Sequence, residues 1–389
     1  MRVVIVTESF PPDINGVAHC ALQTARHLAL RGHDPLVIAP ATPSAPALGA
    51  GDGSGVFHGS GGAAGPPCPV VRVPSLPLPG YPQVRVALPS RRLSAAVAAH
   101  RPDLVHLASP FVLGARGMAA AARLGLPAVA VYQTDLGGYA RTYVGAGEGA
   151  AWRRLRAVHG AADRTLAPST AAVADLERHG VRRVRLWPRG VDTGRFRPGL
   201  RDAALRRELA PGGEVLVGYV GRLAPEKRVE LLAGACGLPG VRVVVVGDGP
   251  SEGALRTALP GAVFLGRRTG DDLARIFASL DVFAHTGPYE TFCQTVQEAM
   301  ACGLPVVAPA AGGPLDLVDH GRTGLLVAPH DADALRTAVA ALAADPALRA
   351  AYGHAGRDRV NGRTWEAVGD LLLGHYGDVL RERRTAVAA

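Results

Sequence analysis

Length, composition and charge exclude several classes of protein. The chain has 389 residues, of which 48% are hydrophobic and 19% charged, so it is globular rather than disordered. At this length we expect two domains, and no apolar run reaches the roughly 18 residues that span a bilayer. The formal net charge of +9 favours an anionic partner, such as a nucleotide, a phospholipid surface or nucleic acid.

The cysteines and the N-terminus bear on the cellular compartment. The five cysteines are widely spaced and form no CxxC pair; they are Cys20, Cys68, Cys236, Cys293 and Cys302. This pattern indicates a reducing cytoplasm and argues against a structural zinc site. The first residues, MRVVIVTESF, predict a buried strand and lack the regions of a signal peptide. We therefore predict a cytoplasmic protein.

In chain order, short Val/Ile/Leu runs alternate with segments of helical periodicity. The predicted strands of the first half are RVVIV, PLVIAP, VVRVP, LVHLAS, AVAVYQT, RTLAPS and VRLWPRG. Those of the second half are VLVGYVG, RVVVVGDG, VFLG, VFAHT, PVVAP and GLLVAP. Such nearly continuous apolar strands are typical of parallel sheets covered on both faces. The pattern predicts an α/β protein with two doubly wound, Rossmann-like domains.

The domain boundaries follow from where these periodicities stop. Pro and Gly interrupt both patterns in residues 188–199, which we interpret as the joint. This predicts an N-terminal domain over 1–187 and a C-terminal domain over 188–368. Residues 41–69 are rich in Gly, Ala, Pro and Ser, which predicts a flexible loop. Residues 369–389 complete an amphipathic helix that we expect to cross back to the N-terminal domain.

Two cations and one glycine suggest a phosphate site. Lys227 is the only lysine among 42 Lys and Arg residues, and Lys differs from Arg wherever geometry matters. Arg222 and Lys227 follow one predicted strand, and two nearby cations suit a diphosphate. Gly16 precedes a predicted helix, where glycine lets the backbone approach a phosphate closely. Chance survival of one lysine and a simple turn glycine are the alternatives.

The stretch GPYETFCQTVQEAMACG places two carboxylates around a predicted helix start. Glu290 precedes that helix and Glu298 lies inside it. The amides expected at its N-terminus, suited to an anion, are those of Phe292, Cys293, Gln294 and Thr295. Carboxylates on either side of an anion can accept hydrogen bonds from the hydroxyls of a sugar and a ribose. Glutamate pairs are also common on solvated helices, so the spacing alone leaves both interpretations open.

Taken in order, the motifs of the second half resemble the retaining glycosyltransferases of family 4, which have the GT-B fold. They are GVDTGRFRPG, GRLAPEKR, GDGP, FLG, DVFAHTGPYETF, QEAMACGLPVVAPAAGG and GRTGLLVAPHD. The spacing of Glu290 and Glu298 matches the E-x7-E motif of that family. ESFPPDINGVA, RPDLVHLASPFVLG and VYQTDLGGYA are more narrowly similar to bacterial GDP-mannose-dependent α-mannosyltransferases that act on glycolipids. The resemblance implies two domains facing across a cleft.

The resemblance also implies a role for each residue of a donor site. Gly16, Arg222 and Lys227 would hold the diphosphate of a nucleotide sugar. Glu290 would bind the hexose hydroxyls and Glu298 the ribose. The residues flanking the base would be Gly266 and Arg267. GDP-mannose is the favoured donor, with UDP-glucose or UDP-GlcNAc as alternatives, and the acceptor would be a glycolipid, a lipid-linked sugar or a small sugar-like molecule.

The sequence predicts an enzyme with neither metal nor cofactor. No DxD motif stands at a strand end, and Asp271 and Asp272 begin a predicted helix, where acids commonly cap the first turn. Arg222, Lys227 and the amides before Glu298 would instead stabilise the departing diphosphate. The resemblance implies retention of the anomeric configuration, with the departing phosphate accepting the proton of the acceptor hydroxyl.

One position departs from the family pattern. Many members carry a histidine beside the reacting sugar in a stretch of the form Y-H-T or F-H-T, whereas VYQTD places Gln133 there. Gln can hydrogen-bond a hydroxyl but cannot take a proton. Asp135 is our candidate for orienting the acceptor hydroxyl or the 6-hydroxyl of the donor, with a structural turn aspartate as the alternative. His106 is a further candidate, although a lone strand histidine is more often a core residue.

Arginine groups in the first half suggest how an acceptor or a membrane is bound. One group consists of Arg85, Arg91 and Arg92. The other consists of Arg153, Arg154 and Arg156, next to Trp152. Such clusters beside an aromatic residue suit an anionic headgroup or membrane surface. A solvated helix face in an arginine-rich chain explains them equally well.

Several other functions are weaker candidates. A nucleotide-sugar epimerase on the same fold is the runner-up and would consume the donor without an acceptor. A non-catalytic sugar-nucleotide sensor would retain Arg222, Lys227 and Glu298 without turnover. NAD binding lacks a GxGxxG motif with an acid about 20 residues on, and a pyridoxal-dependent phosphorylase would need Lys227 as its Schiff base. Nucleic acid has only the net charge in its favour.

Overall fold

The computed structural model describes residues 1–13, 15–42, 66–78, 81–133 and 148–388. Most of the predicted loop 41–69 lies outside these residues. The chain divides into two compact units. Unit 1 comprises Met1–Pro168, Ala172–Pro188 and Val368–Ala389, and unit 2 comprises Ser169–Ala171 and Arg189–Ala367.

Unit 1 is built on a parallel sheet. Its strands are β1 (Arg2–Val6), β2 (Asp34–Pro40), β3 (Val70–Val73), β4 (Ser75–Leu78), β5 (Tyr81–Ala87), β6 (Leu104–Leu107), β7 (Ala128–Val131), β8 (Arg164–Ala167) and β9 (Val184–Leu186). The sheet has the order β3-β2-β1-β6-β7-β8-β9, with every neighbouring pair parallel. The strand order reverses between β1 and β6, the kind of switch point at which open α/β sheets bind ligands.

The strands β4 and β5 form an antiparallel hairpin that the sequence pattern did not predict. Prolines 74, 77, 79 and 82 make this segment resemble a turn rather than a strand. The hairpin pairs Ser75 with Ala87 and Pro77 with Arg85. Because it has only edge strands, proline is tolerated there without breaking a central ladder.

Unit 2 repeats the same architecture. Its strands are β10 (Val215–Val220), β11 (Val241–Val246), β12 (Val263–Gly266), β13 (Val282–Ala284), β14 (Val306–Pro309) and β15 (Gly324–Val327). All neighbouring pairs are parallel, in the order β12-β11-β10-β13-β14-β15. The core is apolar, with Leu216, Phe277 and Val306 fully buried. This sheet reverses between β10 and β13, so it has a switch point of its own.

Helices connect the strands of both units. The longer ones are Gly16–Leu30, Arg91–His100, Leu113–Arg123, Glu148–Ala161, Thr170–Arg178, Gly270–Ser279, Gln294–Ala301, Ala332–Ala344, Pro346–Asn361 and Trp365–Ala388. The shorter α-helices are Ala203–Leu209, Ala233–Cys236, Glu252–Ala258 and Pro314–Leu317. Their apolar faces cover the sheets, which is why the strands are buried on both sides.

The last helix returns to unit 1 and is anchored there by polar contacts. The indole of Trp187 donates a 2.9 Å hydrogen bond to the carbonyl of Val368. Further along the helix, the guanidinium of Arg164 pairs with Asp378 at 2.9 Å. Because these partners precede the helix by more than a hundred residues, the C-terminal segment closes the fold of unit 1.

Two glycines bring neighbouring loops of unit 2 together. A Cβ at Gly247 would lie 1.9 Å from the carbonyl oxygen of Gly221, and one at Gly249 would lie 2.2 Å from that of Leu223. Only glycine permits this approach, because any side chain would overlap the backbone of the other loop. The GDG motif thus positions the loop after β10, which carries Arg222.

Candidate active site

The carboxyl ends of the unit 2 strands meet at one edge of the sheet, because all six strands are parallel. β10 and β13 are neighbours at the point of reversal. Arg222 follows β10 and Glu290 follows β13. The predicted donor residues therefore start from adjacent strand ends, which is where open α/β sheets bind ligands.

Lys227 ends a short 3-10 helix, Pro225–Lys227. Arg228, with φ of 51°, ends this turn. The carbonyl of Lys227 accepts a 2.6 Å hydrogen bond from the hydroxyl of Thr286, which follows β13. The lysine is therefore placed by the neighbouring strand end as well as by its own loop.

The ammonium of Lys227 contacts the carboxylate of Glu290. Nζ lies 2.5 Å from Oε1, and Nε2 of His285 lies 3.4 Å from the same oxygen. Burial works to raise the pKa of Glu290, but the charges of Lys227 and His285 outweigh it and lower the pKa to about 2. Glu290 is thus an ionised acceptor, able to take hydrogen bonds from hydroxyls.

Arg222 is oriented by a second carboxylate. Its guanidinium donates a hydrogen bond to Oε1 of Glu226, whose side chain is 6% exposed. The hydroxyl of Tyr219 donates a 3.1 Å bond to the carbonyl of Arg222. Each of the two predicted phosphate-binding cations is therefore held by an acid of unit 2, an arrangement that fixes a charge before its ligand arrives.

A pair of glycines positions the loop that carries Glu290. A Cβ at Gly312 would lie 2.3 Å from the carbonyl oxygen of Glu290, and one at Gly313 would lie 2.0 Å from that of Phe292. The amide of Gly313 also donates a 2.8 Å hydrogen bond to the carbonyl of Glu290. Gly312 has φ of 60°, which favours glycine in its own right. The AAGG motif thus fixes the position of the loop that carries Glu290.

The helix after Glu290 begins one residue later than the predicted amide set. Cys293 is the N-cap, with φ of 78°, and the helix runs over Gln294–Ala301. The amides of Cys293, Gln294 and Thr295 therefore face the open end of the helix. Phe292 precedes the cap, and its ring is buried in the core of unit 2. Phe292 therefore precedes the N-terminal amides of this helix, among which it was predicted.

Glu298 lies in the same helix, four residues after Gln294. Burial raises the pKa of Glu298 to about 8, while a hydrogen bond from Gln294 and the charge of Arg195 work in the opposite direction. Because few charges and hydrogen bonds offset the burial of this carboxylate, it favours a ligand that donates hydrogen bonds to it. Glu290 and Glu298 thus differ: the first is held ionised by two cations and the second is not.

The remaining donor candidates lie at the end of a strand or at the start of a helix. Gly266 is the last residue of β12, with φ of 67°, and its carbonyl accepts a 3.0 Å hydrogen bond from Gly247. Arg267 follows it. In unit 1, Gly16 begins the helix Gly16–Leu30, and a Cβ there would meet no described atom within 4 Å. Packing among the described residues therefore does not require glycine at position 16.

Two acceptor candidates of the first half are held within unit 1. Gln133 is buried, and its Nε2 donates a hydrogen bond to the carbonyl of Ala108. His106 is 1% exposed, and its Nδ1 lies 2.7 Å from the hydroxyl of Tyr376. Burial lowers the pKa of His106 to about 3. His106 is therefore a neutral core residue, the alternative that the sequence left open, and its contact with an acceptor stays a prediction. Asp135 lies outside the described residues.

The arginine groups divide by their exposure. Arg85 bridges its own hairpin, because its Nε donates a 2.8 Å hydrogen bond to the hydroxyl of Ser75. Trp152 is 7% exposed and stacks on His179 with ring centroids 3.6 Å apart, so it is not the surface aromatic that the sequence suggested. The exposed members of both groups are Arg91, Arg92, Arg153, Arg154 and Arg156.

Sequence reasoning missed two residues at strand ends. His285 directly follows β13, and Glu8 is the second residue after β1. Oε1 of Glu8 accepts hydrogen bonds from the amides of Phe111 at 3.1 Å and Gly114 at 2.9 Å, at the start of the helix after β6. The available signal was a polar residue just past a buried apolar strand, directly after it for His285 and two residues after it for Glu8.

One group of side chains in the described part of the chain has the proximity that a metal ion needs. Ligand atoms of His285, Glu290 and Cys293 lie within 4.8 Å of one another. A cation there would compete with the ammonium of Lys227 for Glu290. Asp271, by contrast, pairs with Arg195 at 3.0 Å and is not part of this group.

Comparison with known proteins identifies the class. The profile described as "Glycosyltransferase Family 4" matches residues 14–195, and "Glycosyl transferases group 1" matches residues 201–359. The structure of HepE from Anabaena in complex with UDP is 21% identical, with a TM-score of 0.77 over 97% of this chain and 100% of its own. Fold and site together define a glycosyltransferase of the GT-B fold, as the motifs implied.

Two relatives cover the chain from end to end. A GDP-mannose-dependent α-mannosyltransferase of Mycobacterium tuberculosis (strain CDC 1551 / Oshkosh) is 47% identical over 100% of this chain and 99% of its own. A protein of the same description from Mycolicibacterium smegmatis is 47% identical over 100% of both chains. The chain belongs to glycosyltransferase family 4 and is a hexosyltransferase, which confirms the family predicted from the motifs.

The helices also bear on membrane insertion. Across the described part of the chain, none combines the length and the apolar character that crossing a bilayer requires.

Proposed function

We propose that this protein transfers mannose from GDP-mannose to a hydroxyl of a glycolipid or sugar-like acceptor, with retention of configuration and without a metal. The observation that carries the proposal is the contact of Lys227 with Glu290 at the switch point of unit 2, where Arg222 follows the strand β10. Two fixed cations and an ionised carboxylate match the diphosphate and the hexose of a nucleotide sugar.

The first chemical requirement is to stabilise the leaving group. Cleavage of the sugar–phosphate bond leaves new negative charge on the diphosphate, which Arg222 and Lys227 would neutralise. The amides of Gln294 and Thr295, at the start of their helix, add a positive field suited to the same anion. Such preorganised donors act on charge that develops in the transition state, and losing one typically slows turnover ~10²–10³-fold.

The carboxylates would bind the two sugars of the donor. Glu290, ionised beside Lys227, would accept hydrogen bonds from the hexose hydroxyls. Glu298 would accept them from the ribose, and Gly266 and Arg267 would flank the base. The names of the end-to-end relatives support GDP-mannose as the donor. Gly16 of unit 1 remains our candidate for a close approach to the diphosphate.

Retention of the anomeric configuration requires that the acceptor hydroxyl attack the anomeric carbon on the face from which the phosphate departs. The departing phosphate oxygen would take the proton of the acceptor hydroxyl, so no strong protein base is needed. Asp135 remains our candidate for orienting that hydroxyl. The test is a reaction of GDP-mannose with a model acceptor, whose glycoside product is analysed by its anomeric NMR coupling. An α-linked product supports retention, and a β-linked product contradicts it.

Independence from metal is a separate proposal. Arg222 and Lys227 would supply the positive charge that a metal provides elsewhere. Turnover in EDTA should therefore equal turnover in buffer with Mg²⁺. Activity that is lost in EDTA and restored by Mg²⁺ or Mn²⁺ would contradict it.

Unit 1 would bind the acceptor at a lipid surface. Arg91 and Arg92 are exposed at the start of the helix Arg91–His100, and a groove beside them is lined by Arg91, Arg123 and Leu124. Cations around an exposed leucine are suited to an anionic headgroup. Flotation with vesicles of phosphatidylglycerol and phosphatidylcholine tests this contact. Binding should require the anionic lipid and weaken with salt, and equal recovery without it would remove the membrane from the proposal.

The decisive experiment is a donor panel. GDP-mannose, GDP, UDP-glucose and UDP-GlcNAc are compared by thermal shift, since a ligand at 100 times its Kd adds about 2.7 kcal/mol of stability. GDP-mannose should give the largest shift, and a larger shift with a UDP sugar would reassign the donor. Incubating GDP-mannose without acceptor tests the epimerase alternative, which predicts conversion to an isomer.

A further inference from the structure

His285 occupies a buried position in the middle of the proposed donor site. It directly follows β13 and is 3% exposed. Nε2 lies 3.0 Å from the carbonyl oxygen of Gly287 and 3.4 Å from Oε1 of Glu290. Its ring is nearly parallel to that of Tyr219 on β10, with centroids 6.4 Å apart. The imidazole is therefore fixed by its own strand end, by the loop that follows it and by the neighbouring strand β10.

The charged and titratable groups around His285 come from three elements. Glu290 and Cys293 face it from the loop after β13, Lys227 lies on the far side of Glu290, and Tyr219 stacks from β10. Burial works to lower the pKa of His285, but Cys293 and the carboxylate of Glu290 raise it to about 10. The imidazole is thus a second cation on the carboxylate that Lys227 already contacts.

The proposed function makes two demands on Lys227. Its ammonium contacts Glu290 at 2.5 Å, and it would also neutralise the diphosphate of the donor. An ammonium has three N–H donors and can touch both anions, but its single charge is then shared between them. Glu290, with a side chain only 18% exposed, would lose much of its counter-charge when the donor binds.

We propose that His285 is a positioning residue for the donor reaction, because it holds the Glu290 carboxylate in place when Lys227 turns to the diphosphate. The proposal rests on the proposed function of this site. Unlike Lys227, His285 cannot follow the phosphate, because its Nε2 is bound to Gly287 and the ring is enclosed. It therefore keeps Glu290 ionised and aimed at the hexose throughout the reaction.

The test compares His285→Gln with the wild-type enzyme. Gln retains a donor for the carbonyl of Gly287 and removes the charge together with the aromatic ring. The variant should raise the KM for the nucleotide sugar about tenfold and lower kcat by a similar factor. The acid limb of its kcat/KM profile should move to higher pH, because Glu290 then relies on Lys227 alone. His354→Gln, at an exposed position of the helix Pro346–Asn361, is the matched control and should leave both constants unchanged.

A double-mutant cycle separates this role from a merely structural one. Once Glu290→Gln has removed the carboxylate, the charge of His285 has nothing to hold, so His285→Gln should cost no further activity in that background. Equal losses from His285→Gln in both backgrounds would overturn the proposal, as would a single variant with wild-type constants and pH profile.

A measurement on the wild-type enzyme serves if the variant does not fold. Histidine labelled with ¹⁵N reports the protonation of both ring nitrogens in NMR spectra. With GDP bound, one buried histidine should stay doubly protonated at pH 8, and a spectrum with only neutral buried rings would overturn the inference. If the wild-type enzyme binds no nucleotide or nucleotide sugar in the thermal-shift panel, the proposed function fails instead, whatever the protonation of His285.

Discussion

Nζ of Lys227 lies 2.5 Å from Oε1 of Glu290, a carboxylate 63 residues further along the chain. The contact joins the loop after β10 to the loop after β13 at the point where the sheet of unit 2 reverses. In the proposed donor site a compact ammonium would lie between this carboxylate and a phosphate, where a planar fork would require more room. This is our interpretation of the one lysine among so many arginines.

Lys227→Arg should lower kcat by one to three orders of magnitude, the range for a displaced preorganised charge. The loop after β13 packs against the stem of the lysine, since a Cβ built on Gly287 would lie 3.4 Å from Cα and Cδ of Lys227. Steady-state kinetics with the nucleotide sugar measure the effect. Arg228→Lys, at the next and more exposed position, is the control and should keep wild-type turnover. Full activity of Lys227→Arg would refute the role of the lysine.

At pH 9, where Glu298 is ionised, Glu298→Gln should weaken GDP binding about 10- to 100-fold, the loss expected for hydrogen bonds to a charged group. Isothermal titration calorimetry with GDP and with 2′,3′-dideoxy-GDP measures it. The dideoxy nucleotide should bind the wild-type enzyme weakly and be insensitive to the substitution. Glu208→Gln, at an exposed position, is the control. If the substitution weakened the binding of both nucleotides equally, Glu298 would not bind the ribose hydroxyls.

The same substitution should raise the melting temperature at alkaline pH. The pKa of Glu298 in the folded protein, about 8, lies above its ordinary value, so the folded state holds an extra proton between roughly pH 4.5 and pH 8. The stability of the wild-type protein therefore falls as the pH rises through that window. Differential scanning calorimetry should find Glu298→Gln a few degrees more stable at pH 9 and indistinguishable at pH 4.5. A constant difference across this range would contradict the argument.

Glu8 should respond differently to two substitutions. Burial raises the pKa of Glu8, although the amides of Gly114 and Phe111 work against this, so its charge costs stability as the pH rises above its ordinary pKa. Glu8→Gln keeps an acceptor for both amides and should raise the melting temperature at pH 7. Glu8→Ala leaves the amides without that acceptor and should lower it, by about 1–3 kcal/mol of unfolding free energy. The same change from both variants would exclude this account.

Tyr376→Phe should destabilise unit 1 by about 1–3 kcal/mol, because it leaves Nδ1 of buried His106 without its hydroxyl partner. Urea unfolding measures the free energy. Leu371→Ala, on the same helix with 54% of its surface exposed, should change it little. Activity per folded molecule should be unaffected in both variants, since His106 is a core residue. A selective loss of turnover in Tyr376→Phe would instead support the contact of His106 with an acceptor.

Local sequence was a good guide where one property dominated. The buried strands are recognisable because parallel strands covered on both faces need apolar residues at every position. The hairpin β4–β5 escaped prediction because its prolines resemble a turn, and edge strands accept them. Trp152 was misinterpreted for a related reason: a run of arginines around it says nothing about which face of the helix its ring takes.

By itself, the sequence determined the alternation of strands and helices, the family motifs, and the spacing that puts Glu290 before a helix and Glu298 within it. These are local properties, set by periodicity and by residue type along the chain. Only the tertiary structure decided which charges meet. Lys227, His285 and Glu290 come together because parallel strands deliver their loops to one edge, and glycines 247, 249, 312 and 313 let those loops approach. In that setting the charges of Lys227 and His285 hold Glu290 ionised, whereas burial leaves Glu298 with a raised pKa.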